Sequence, residues 1–436
     1  MHHTKVVIVG GGFGGLTAAK ALKKAKIDLL LIDKTNHHLF QPLLYQVATA
    51  ALSPGEIGIP IREILRHQKN ASVIMGEVVH VNKTKKELTL LNGDLISYDY
   101  LIIAIGAKHS YFGKNEWEPL APGLKTLADA LEIRQRILIS FEMAERMDRI
   151  SDAEKYLNFV VIGGGPTGVE MAGAIAEIAQ KTMFKNFRRI KPEKSKIYLI
   201  EALPHILPVY PQKLSLRAEK DLEEMGVRVL TGKKVTNITE EGVQIEDLFI
   251  PCKNVIWAAG NQAEPLLKTM EVPLDRQGRV QVESDLSVPL YPEIFVIGDA
   301  ACALGKDNKP LPGIAPTAIQ EGKYVAKIIL KEIPKADRPP FKYFDKGSMA
   351  TIGTKKAIVM YKKLQFGGFL AWLAWCFIHI VYLIGFRNRF GVMVEWFYCF
   401  LTGQRGVRLI YRSIEKEMAK IKQRKESDHR GTESTE

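Results

Sequence analysis

Hydrophobic residues near the N-terminus form a β-branched run that passes straight into glycines. Residues 6–9 are apolar, Gly10, Gly12 and Gly15 follow, and residues 16–22 have the composition of a helix. This order predicts the strand, turn and helix of a dinucleotide-binding unit. In such a unit Gly10 makes the tight turn, Gly12 lets a diphosphate approach the backbone, and Gly15 lets helix and strand pack closely.

A second apolar run completes this unit. Residues 29–32 are apolar and end at Asp33, at about the interval from the glycines where an acid accepts hydrogen bonds from a ribose hydroxyl. The diphosphate is expected at the helix N-terminus, where unpaired N–H groups and the helix dipole favour negative charge. A purely structural glycine turn is the alternative, but it explains neither the flanking strands nor the acid.

The same pattern returns in the middle of the chain. The apolar run 158–162 leads into Gly163, Gly165 and Gly168, which repeat the spacing of the first glycines. Two dinucleotide-binding units imply two nucleotide cofactors.

The second unit also ends its second strand in an acid. The run 196–200 stops at Glu201, which lies further from its glycines because the basic insert 185–192 intervenes. An acid at this place accepts both ribose hydroxyls and repels a 2′-phosphate, so Glu201 favours NADH over NADPH. The arginines of the insert act against that preference.

Three further apolar runs end in small or acidic residues. Runs 101–107 and 254–260 close in small residues, as where a backbone passes close to a ligand. The run that begins at residue 293 delivers Asp299 beside a glycine. Asp299 either caps the following helix or hydrogen-bonds a ribityl or ribose hydroxyl, and the two nucleotide units upstream favour the second interpretation.

The chain changes character after residue 364. The run 369–386 is uncharged and rich in tryptophan, residues 390–403 are mostly apolar, and the composition of 427–436 predicts disorder. The first run is roughly long enough to span a bilayer. Its aromatic residues, glycine breaks and basic flanks also suit helices that lie in the headgroup plane. A buried dimer interface is the third interpretation, and we favour the interfacial anchor.

Composition and charge narrow the class of protein. A chain of 436 residues with 46% hydrophobic and 25% charged residues is typical of two or three globular domains. The net charge of +13 favours an anionic partner, and without a nucleic-acid-binding motif we expect a membrane surface and no nucleic acid. The four dispersed cysteines argue against a disulfide scaffold, a zinc site and a redox-active dithiol. No metal is expected at the adjacent His37 and His38, because further ligands at metal spacing are missing.

Several motifs together resemble one family. They are GGGFGGL (10–16), NHHLFQPLLYQVA (36–48), AIGA (104–107), GGGPTGVEMAG (163–173), WAAG (257–260), VIGDAA (296–301), FDKGSMATIGTKKAIV (344–359) and GFRNRF (385–390). With these motifs the chain resembles the flavoproteins that have two dinucleotide-binding domains, and within them the type II NADH:quinone oxidoreductases.

The resemblance implies an α/β fold. Two Rossmann-like domains in a glutathione-reductase-like arrangement are expected, followed by a C-terminal helical membrane-association region. The FAD-binding domain is predicted to be discontinuous, at residues 1–120 and 265–345. The NADH-binding domain is predicted at residues 155–264, after a helical connector at 121–154. A membrane-anchoring region at 346–426 and a disordered tail at 427–436 complete the prediction.

The resemblance also implies which residues hold each ligand. FAD is expected at Gly10, Gly12, Phe13, Gly14, Gly15, Asp33, Lys34, Ala104, Gly106, Asp299 and Ala318. NADH is expected at Gly163, Gly165, Gly168, Glu201 and Gly260, and a quinone at Ala315, Pro316, Gln320 and His379.

Two of the implied positions concern the reaction itself. Pro316 stands where the quinone motif of the family has its first glutamine, which leaves Gln320 as the group to hydrogen-bond a quinone carbonyl. Glu170 matches the glutamate on the helix after the second glycine loop, and a role in handling protons or positioning the nicotinamide follows. The alternative for Glu170 is an acid favoured only by the helix dipole.

The predicted activity is hydride transfer from NADH to FAD and then transfer of two electrons to a membrane quinone. No proton pumping is expected, because the sequence shows no charged intramembrane relay. A homodimer that is peripheral and monotopic on the cell membrane is expected. The cytoplasmic face is expected because no secretory signal precedes the first strand. A flavin-dependent reductase of an acidic protein such as ferredoxin is one alternative, and an NADH-responsive membrane-bound binding protein is another. Disulfide and sulfide reductases need paired cysteines that this chain lacks.

Overall fold

The computed structural model of this protein describes residues 4–411 and divides the chain into two compact units. The first unit takes the chain up to Gln41, then Gly55–Gly113 and Gly260–Ser348. The second takes Pro42–Pro54, Lys114–Ala259 and the chain from Met349 onward. The predicted disordered tail at 427–436 lies outside the described residues.

The strands of both units follow in chain order. They are β1 Thr4–Val9, β2 Ile27–Asp33, β3 His37–Leu39, β4 Gly58–Pro60, β5 Ala71–Met75, β6 Val78–Asn82, β7 Glu87–Leu90, β8 Leu95–Ser97, β9 Tyr100–Ile103, β10 Ala107–His109, β11 Asn158–Ile162, β12 Lys196–Glu201, β13 Val227–Thr231, β14 Val235–Thr239, β15 Gly242–Ile245, β16 Leu248–Pro251, β17 Asn254–Trp257, β18 Asn261–Ala263, β19 Val280–Gln281, β20 Ser287–Val288, β21 Tyr291–Val296, β22 Ala301–Cys302, β23 Ser348–Thr351, β24 Ala357–Tyr361 and β25 Leu364–Gly368.

The α-helices of both units also follow in chain order. They are α1 Phe13–Ala21, α2 Leu44–Ala48, α3 Pro54–Ile57, α4 Ile61–Leu65, α5 Leu127–Arg146, α6 Ile150–Leu157, α7 Pro166–Glu177, α8 Gln212–Glu223, α9 Ala315–Leu330, α10 Phe369–Tyr382 and α11 Phe386–Thr402.

The first unit is built on a six-stranded sheet in the order β20-β21-β9-β1-β2-β5. Strand β1 lies in the middle and pairs in parallel with β2 and β9. Val6, Val7 and Ile8 are fully buried, as a continuous apolar run in a covered parallel strand requires. Helix α1 packs against α9, so the turn after β1 and the start of α9 belong to one layer of the unit.

The second unit repeats the parallel core with four strands, in the order β13-β12-β11-β17. Strand β11 is again central, pairs with β12 and β17, and is fully apolar from Phe159 to Ile162. Helix α5 packs its buried face here, where the rings of Phe141 and Phe159 lie 5.6 Å apart. The helix begins at Leu127 because Thr126 and Asp129 form a capping box.

Residues 42–54 pack with the second unit, although the predicted FAD-binding domain includes them. The physical reason is α2, whose five residues are all buried and which packs against α5 and α7. The predicted connector 121–154 and most of the C-terminal region also fall in the second unit.

The C-terminal part of the second unit is a three-stranded sheet, β23-β24-β25, followed by α10 and α11. Gly385, with φ of +87°, separates the two helices where the sequence shows one apolar run up to residue 386. Large apolar side chains on these helices are exposed, among them Leu370, Phe377, Phe386, Phe397 and Leu401. Within residues 4–411, we find no helix with the length and apolar character needed to cross a bilayer.

Candidate functional site

The turn after β1 has the geometry of a phosphate cradle. Gly10 has φ of +103°, a conformation that side chains with a Cβ rarely adopt. A Cβ on Gly15 would lie 1.9 Å from the carbonyl oxygen of Gly10, so only glycine lets α1 start this close to the strand. A Cβ on Gly12 would meet nothing within 4 Å. The space in front of the first turn of α1 is therefore open to a ligand.

Asp33 at the end of β2 is held against this turn. Its Oδ2 accepts the backbone N–H of Gly11 at 2.6 Å, and its Oδ1 accepts both the N–H and the hydroxyl of Thr35 at 2.7 Å. A carboxylate has about four acceptor positions, so these three bonds fix its orientation and leave room for one hydroxyl donor. The sequence predicts the acid but not its bond to Gly11.

The second unit reproduces these contacts around its own turn. Gly163 has φ of +110°, a Cβ on Gly168 would lie 1.8 Å from the Gly163 oxygen, and a Cβ on Gly165 would meet nothing within 4 Å. Glu201 accepts the N–H of Gly164 at 2.6 Å through Oε2. It also accepts the N–H of residue 203 at 2.8 Å through Oε1. The internal repeat seen in the sequence is thus a repeat of hydrogen bonds as well.

Other predicted FAD residues gather in the first unit around the same turn. Ala104 approaches so closely that a Cβ on Gly10 would lie 2.3 Å from its oxygen. Gly14 lies beside Ala318, whose carbonyl oxygen would be 3.3 Å from a Cβ there. Gly106 has φ of +72° and faces open space.

Phe13 and Lys34, two further predicted FAD residues, contact other side chains of the first unit. The ring of Phe13 packs edge-on against His38 with 5.1 Å between the centroids. Lys34 pairs with Glu264 at 3.2 Å. Gly260, predicted to bind NADH, falls in the first unit, whereas Gly163, Gly165, Gly168 and Glu201 lie in the second.

Glu321 is a buried acid for which the sequence suggests no role. It is 1% exposed on α9, and its Oε2 accepts the N–H of Gly298 at 2.6 Å. Burial raises the pKa of Glu321 to about 8, the Gly298 N–H opposes the rise, and the charge of Asp299 adds to it. Glu321 therefore holds the turn that presents Asp299. The only sequence signal was a glutamate directly after Gln320 in a helix of small and apolar residues.

The predicted quinone residues of the first unit lie at the start of α9. Ala315 and Pro316 form its first turn, where proline needs no N–H donor. One turn later the side chain of Gln320 hydrogen-bonds the backbone of Phe344, its Oε1 accepting the N–H at 2.9 Å and its Nε2 donating to the oxygen at 3.0 Å. The sequence does not predict this partner.

Glu170 lies on α7 in the second unit. Burial raises the pKa of its carboxyl to about 8, although the backbone N–H of Thr351 acts in the opposite direction. The nearby Tyr45 has its own pKa raised well above the usual value, chiefly by burial and further by the charge of Glu170. Glu170 is thus a carboxylic acid that holds a proton at neutral pH.

A row of hydrogen-bonded side chains leads away from Thr351. The Tyr45 hydroxyl lies 3.0 Å from the Thr351 hydroxyl, and the Gln46 amide donates to Tyr45 at 3.0 Å. The indole N–H of Trp396, on α11, donates to Gln46 Oε1 at 2.7 Å. This row connects the aromatic C-terminal helices to the residue whose backbone contacts Glu170.

His379, the other predicted quinone residue, lies on α10 among aromatic rings. It stacks on Trp375 with 4.0 Å between centroids, and its Nδ1 lies 2.7 Å from the oxygen of Trp375. Burial lowers the pKa of His379 to about 4, so the ring is neutral at pH 7. A cavity of about 60 Å³ is lined by Trp372, Trp375 and Trp396.

A buried ion pair ties the segment after α11 to α7. Arg405 contacts Glu177 at 3.0 Å and donates to the oxygen of Thr49 at 2.6 Å, and both charged side chains are less than a tenth exposed. Burial alone would raise the pKa of Glu177, but Arg405 and Lys181 hold it below its usual value. The sequence shows Arg405 only as one of many basic residues near the C-terminus.

Comparison with protein-family models matches both parts of the chain. Residues 4–322 match the pyridine nucleotide-disulphide oxidoreductase family. Residues 346–405 match the NDH2 C-terminal domain. The two matches together leave few of the described residues uncovered.

Curated relatives and solved structures agree with the family models. The chain is 45% identical over 419 residues to the type II NADH:quinone oxidoreductase Ndh of Mycobacterium tuberculosis, covering 92% of this chain and 89% of the relative. It is 28% identical to the internal alternative NAD(P)H-ubiquinone oxidoreductase A1 of Arabidopsis thaliana, over 92% and 84% of the two chains. The structure of NDH2 from Plasmodium falciparum in complex with NADH matches with a TM-score of 0.85 at 22% identity, over 93% of this chain and 100% of that one. That likeness concerns the fold.

Proposed function

The chain belongs to the pyridine nucleotide-disulphide oxidoreductase family and within it to the type II NADH:quinone oxidoreductases, and we propose here how its residues serve that activity. The protein is an FAD-dependent enzyme that oxidises NADH and reduces a quinone. The observation that carries the residue assignments is the repeated cradle, in which an acid binds the middle glycine of a turn open to a ligand.

The first cradle fits FAD. The open space at Gly12 and the N-terminus of α1 suit a diphosphate, because the N–H groups of the first turn point toward it. Asp33 accepts a ribose hydroxyl with its remaining acceptor position, and Asp299, held in place through Glu321, accepts a hydroxyl of the ribityl chain. Bound FAD supplies the chemistry of taking a hydride equivalent and releasing two electrons.

The second cradle binds NADH through Gly163, Gly165, Gly168 and Glu201. The first turn of α7 follows Gly165 without a side-chain cap among the described residues, which leaves its N–H groups for the diphosphate. Glu201 accepts the ribose hydroxyls next to the adenine. Its negative charge repels a 2′-phosphate and so gives the preference for NADH.

The substitution Glu201→Gln is expected to weaken this preference. The amide keeps one oxygen for the N–H groups of Gly164 and residue 203, loses the second acceptor and loses the charge, so KM for NADH rises about tenfold and the NADH-to-NADPH ratio of kcat/KM falls by at least as much. Steady-state rates with each nucleotide at one saturating quinone concentration measure both effects. The exposed Glu246→Gln serves as a control, and an unchanged ratio in Glu201→Gln would contradict the assignment.

The quinone is placed at the start of α9, beside Ala315 and Pro316, with Gln320 one turn further along. The reduction of a quinone to a quinol takes up two electrons and two protons. Glu170 holds a proton at neutral pH, and we assign to it the delivery of one of them. His379 is neutral at pH 7, and we propose that it takes part in quinone binding as an uncharged group.

Anaerobic mixing with NADH tests the function. The absorption band of oxidised flavin is expected to bleach, and either a ubiquinone or a menaquinone analogue is expected to restore it. Restoration by ferredoxin but by neither quinone would favour the protein-acceptor alternative. Slow turnover with every acceptor would favour the NADH-responsive binding protein. That turnover moves no protons across the membrane stays a prediction.

We further propose that α10 and α11 bind an anionic membrane surface on the cytoplasmic side and that the protein is a homodimer. The exposed apolar side chains of both helices, with Phe386 85% exposed, suit burial at the boundary of headgroups and acyl chains. The net charge of +13 suits anionic lipid. Light scattering measures the oligomeric state in detergent.

Vesicle sedimentation tests the membrane proposal. Binding to phosphatidylglycerol vesicles is expected at low salt, and a substantial part is expected to remain in about 1 M salt, because screening weakens charge attraction but not apolar burial. Phe386→Ser is expected to lower the bound fraction in high salt. Leu290→Ser, at a 95% exposed position of the first unit, is the matched control. Complete release of the unsubstituted protein by salt would contradict an apolar anchor.

A further inference from the structure

The side-chain amide of Gln320 is occupied by backbone groups. Its Nε2 donates to the carbonyl oxygens of Pro316 at 3.1 Å and Phe344 at 3.0 Å, and its Oε1 accepts the N–H of Phe344 at 2.9 Å. An amide nitrogen has two N–H donors, and both are used. A quinone carbonyl needs a donor, so Gln320 in this arrangement does not offer one.

The two bonds between Gln320 and Phe344 hold the backbone of a loop that lies along α9. Further along the helix, the Tyr324 hydroxyl donates to the oxygen of Pro339, and its ring meets that of Phe341 at 5.4 Å, edge to face. The loop is therefore fixed to α9 at points about one turn apart. Gln320 holds the loop one turn before Tyr324, on the side of the first turn of the helix.

The ring of Phe344 is 55% exposed although its backbone is fixed. A single exposed apolar side chain is ordinary at a protein surface. At Phe344 the two-point clamp fixes the direction of the Cα–Cβ bond, so the ring takes only the positions that its χ1 and χ2 rotamers reach from one held backbone. The clamp comes from the helix that carries Ala315 and Pro316, where the proposed function places the quinone.

We propose that Gln320 is a positioning residue and that Phe344, whose backbone it holds, supplies an aromatic face for the quinone ring. The inference rests on the proposed function. A quinone ring is flat and electron-poor, and offset stacking on the negative face of a phenyl ring stabilises such a pair beyond the apolar area that it buries. Phe344 then contributes to quinone binding and discriminates among rings by their shape.

Substitutions at Phe344 test the contact. Phe344→Leu is expected to raise KM for a short-chain benzoquinone about tenfold, since it keeps apolar volume but loses the aromatic face. Phe344→Tyr keeps the face and is expected to stay within about twofold of the unsubstituted KM. The assay uses the holoenzyme in detergent without vesicles, and anaerobic flavin bleaching by NADH is followed in parallel.

A double-mutant cycle tests the positioning role. Gln320→Ala is expected to raise the same KM, and the double variant with Phe344→Leu is expected to be no worse than Phe344→Leu alone, because both changes act through one ring. If the fold-increases in KM of the two single variants multiply in the double variant, Gln320 contacts the quinone itself and the inference is overturned. If Gln320→Ala does not fold, Gln320→Glu keeps an acceptor for the Phe344 N–H, loses both donors, and is expected to show an intermediate, equally non-additive effect.

The controls separate the two proposals. Leu330→Ala, at a 46% exposed position on the far end of α9, is expected to leave KM unchanged. If the unsubstituted enzyme reduces no quinone, the proposed function fails. If it reduces quinone and Phe344→Leu has the unsubstituted KM, only this inference fails. A second assay uses the enzyme on vesicles. If Phe344→Leu lowers activity on vesicles but not in detergent, the ring contacts lipid and this inference also fails.

Discussion

Gly12→Val is expected to give a folded protein that is colourless and inactive. The added side chain starts in space where a Cβ on Gly12 meets nothing within 4 Å, so it is expected to be tolerated by the fold and to occupy the place of the FAD diphosphate. The loss of two charge-assisted hydrogen bonds to the diphosphate weakens FAD binding by about 100-fold or more. The flavin-to-protein ratio after purification and the rate of NADH oxidation measure the effect.

The internal repeat supplies the matched control for this prediction. Gly165→Val places the same side chain in the equivalent open space of the second unit. We expect that variant to remain yellow and to be bleached by dithionite but not by NADH at micromolar concentrations. Gly55→Val, at another position where a Cβ would meet nothing within 4 Å, controls for the added isopropyl group. A yellow, active Gly12→Val enzyme would show that the first cradle does not hold FAD.

Glu170→Gln is expected to lower the rate of quinone reduction at pH 7 by about 100-fold, the usual contribution of a positioned proton donor. The raised pKa of about 8 keeps Glu170 protonated at pH 7, and the amide has the shape of the acid but no proton to give. The unsubstituted rate is expected to be level below pH 8 and to fall above it. In Glu170→Gln this fall disappears.

Stopped-flow measurement separates this effect from a structural one. Bleaching of the flavin by NADH is expected to change little in Glu170→Gln, whereas reoxidation by quinone slows. Glu219, whose pKa is also raised by burial, lies on α8 outside the proposed site, and Glu219→Gln is expected to retain the fall above pH 8. A Glu170→Gln enzyme that keeps this fall would contradict the assignment of Glu170 as the proton donor.

Glu170→Gln is also expected to change how the free energy of unfolding depends on pH. An unfolded glutamate titrates near 4.5 and Glu170 in the folded protein near 8, so the native state binds more protons between these pH values. The contribution of Glu170 to the free energy of unfolding is therefore full below pH 4.5 and is lost as the pH rises to 8. Urea unfolding of Glu170→Gln should lack this slope.

Much of the fold could be predicted from local patterns in the sequence. The glycines at 10, 12 and 15 and their repeat at 163, 165 and 168 identify both dinucleotide-binding units, because strand, turn and helix are contiguous in the chain. The glycine breaks in the C-terminal run were visible as well, and Gly385 with its positive φ does separate α10 from α11. A steric requirement of this kind involves only neighbouring residues, so it can be recognised from glycines in the sequence.

The contacts of the site leave much less trace. Gln320 and Phe344 are 24 residues apart in the sequence, and Glu177 and Arg405 are 228 residues apart. In neither pair does the sequence around one residue indicate which residue it contacts. Asp33 was predicted because a ribose-binding acid has a usual position, but its bond to Gly11 was not. Side-chain to backbone pairing over long separations depends on the completed packing of strands and helices, which composition and periodicity do not specify.

The row of Trp396, Gln46, Tyr45 and Thr351 has a polarity that follows from its first member. An indole ring gives a proton and cannot take one, so the amide of Gln46 must turn its oxygen to Trp396 and its nitrogen to Tyr45. Tyr45 accepts from Gln46, and its hydroxyl lies 3.0 Å from that of Thr351, where either oxygen can be the donor. The helix that presents aromatic side chains to the surface therefore fixes, through one indole N–H, which end of a buried amide faces the tyrosine behind it.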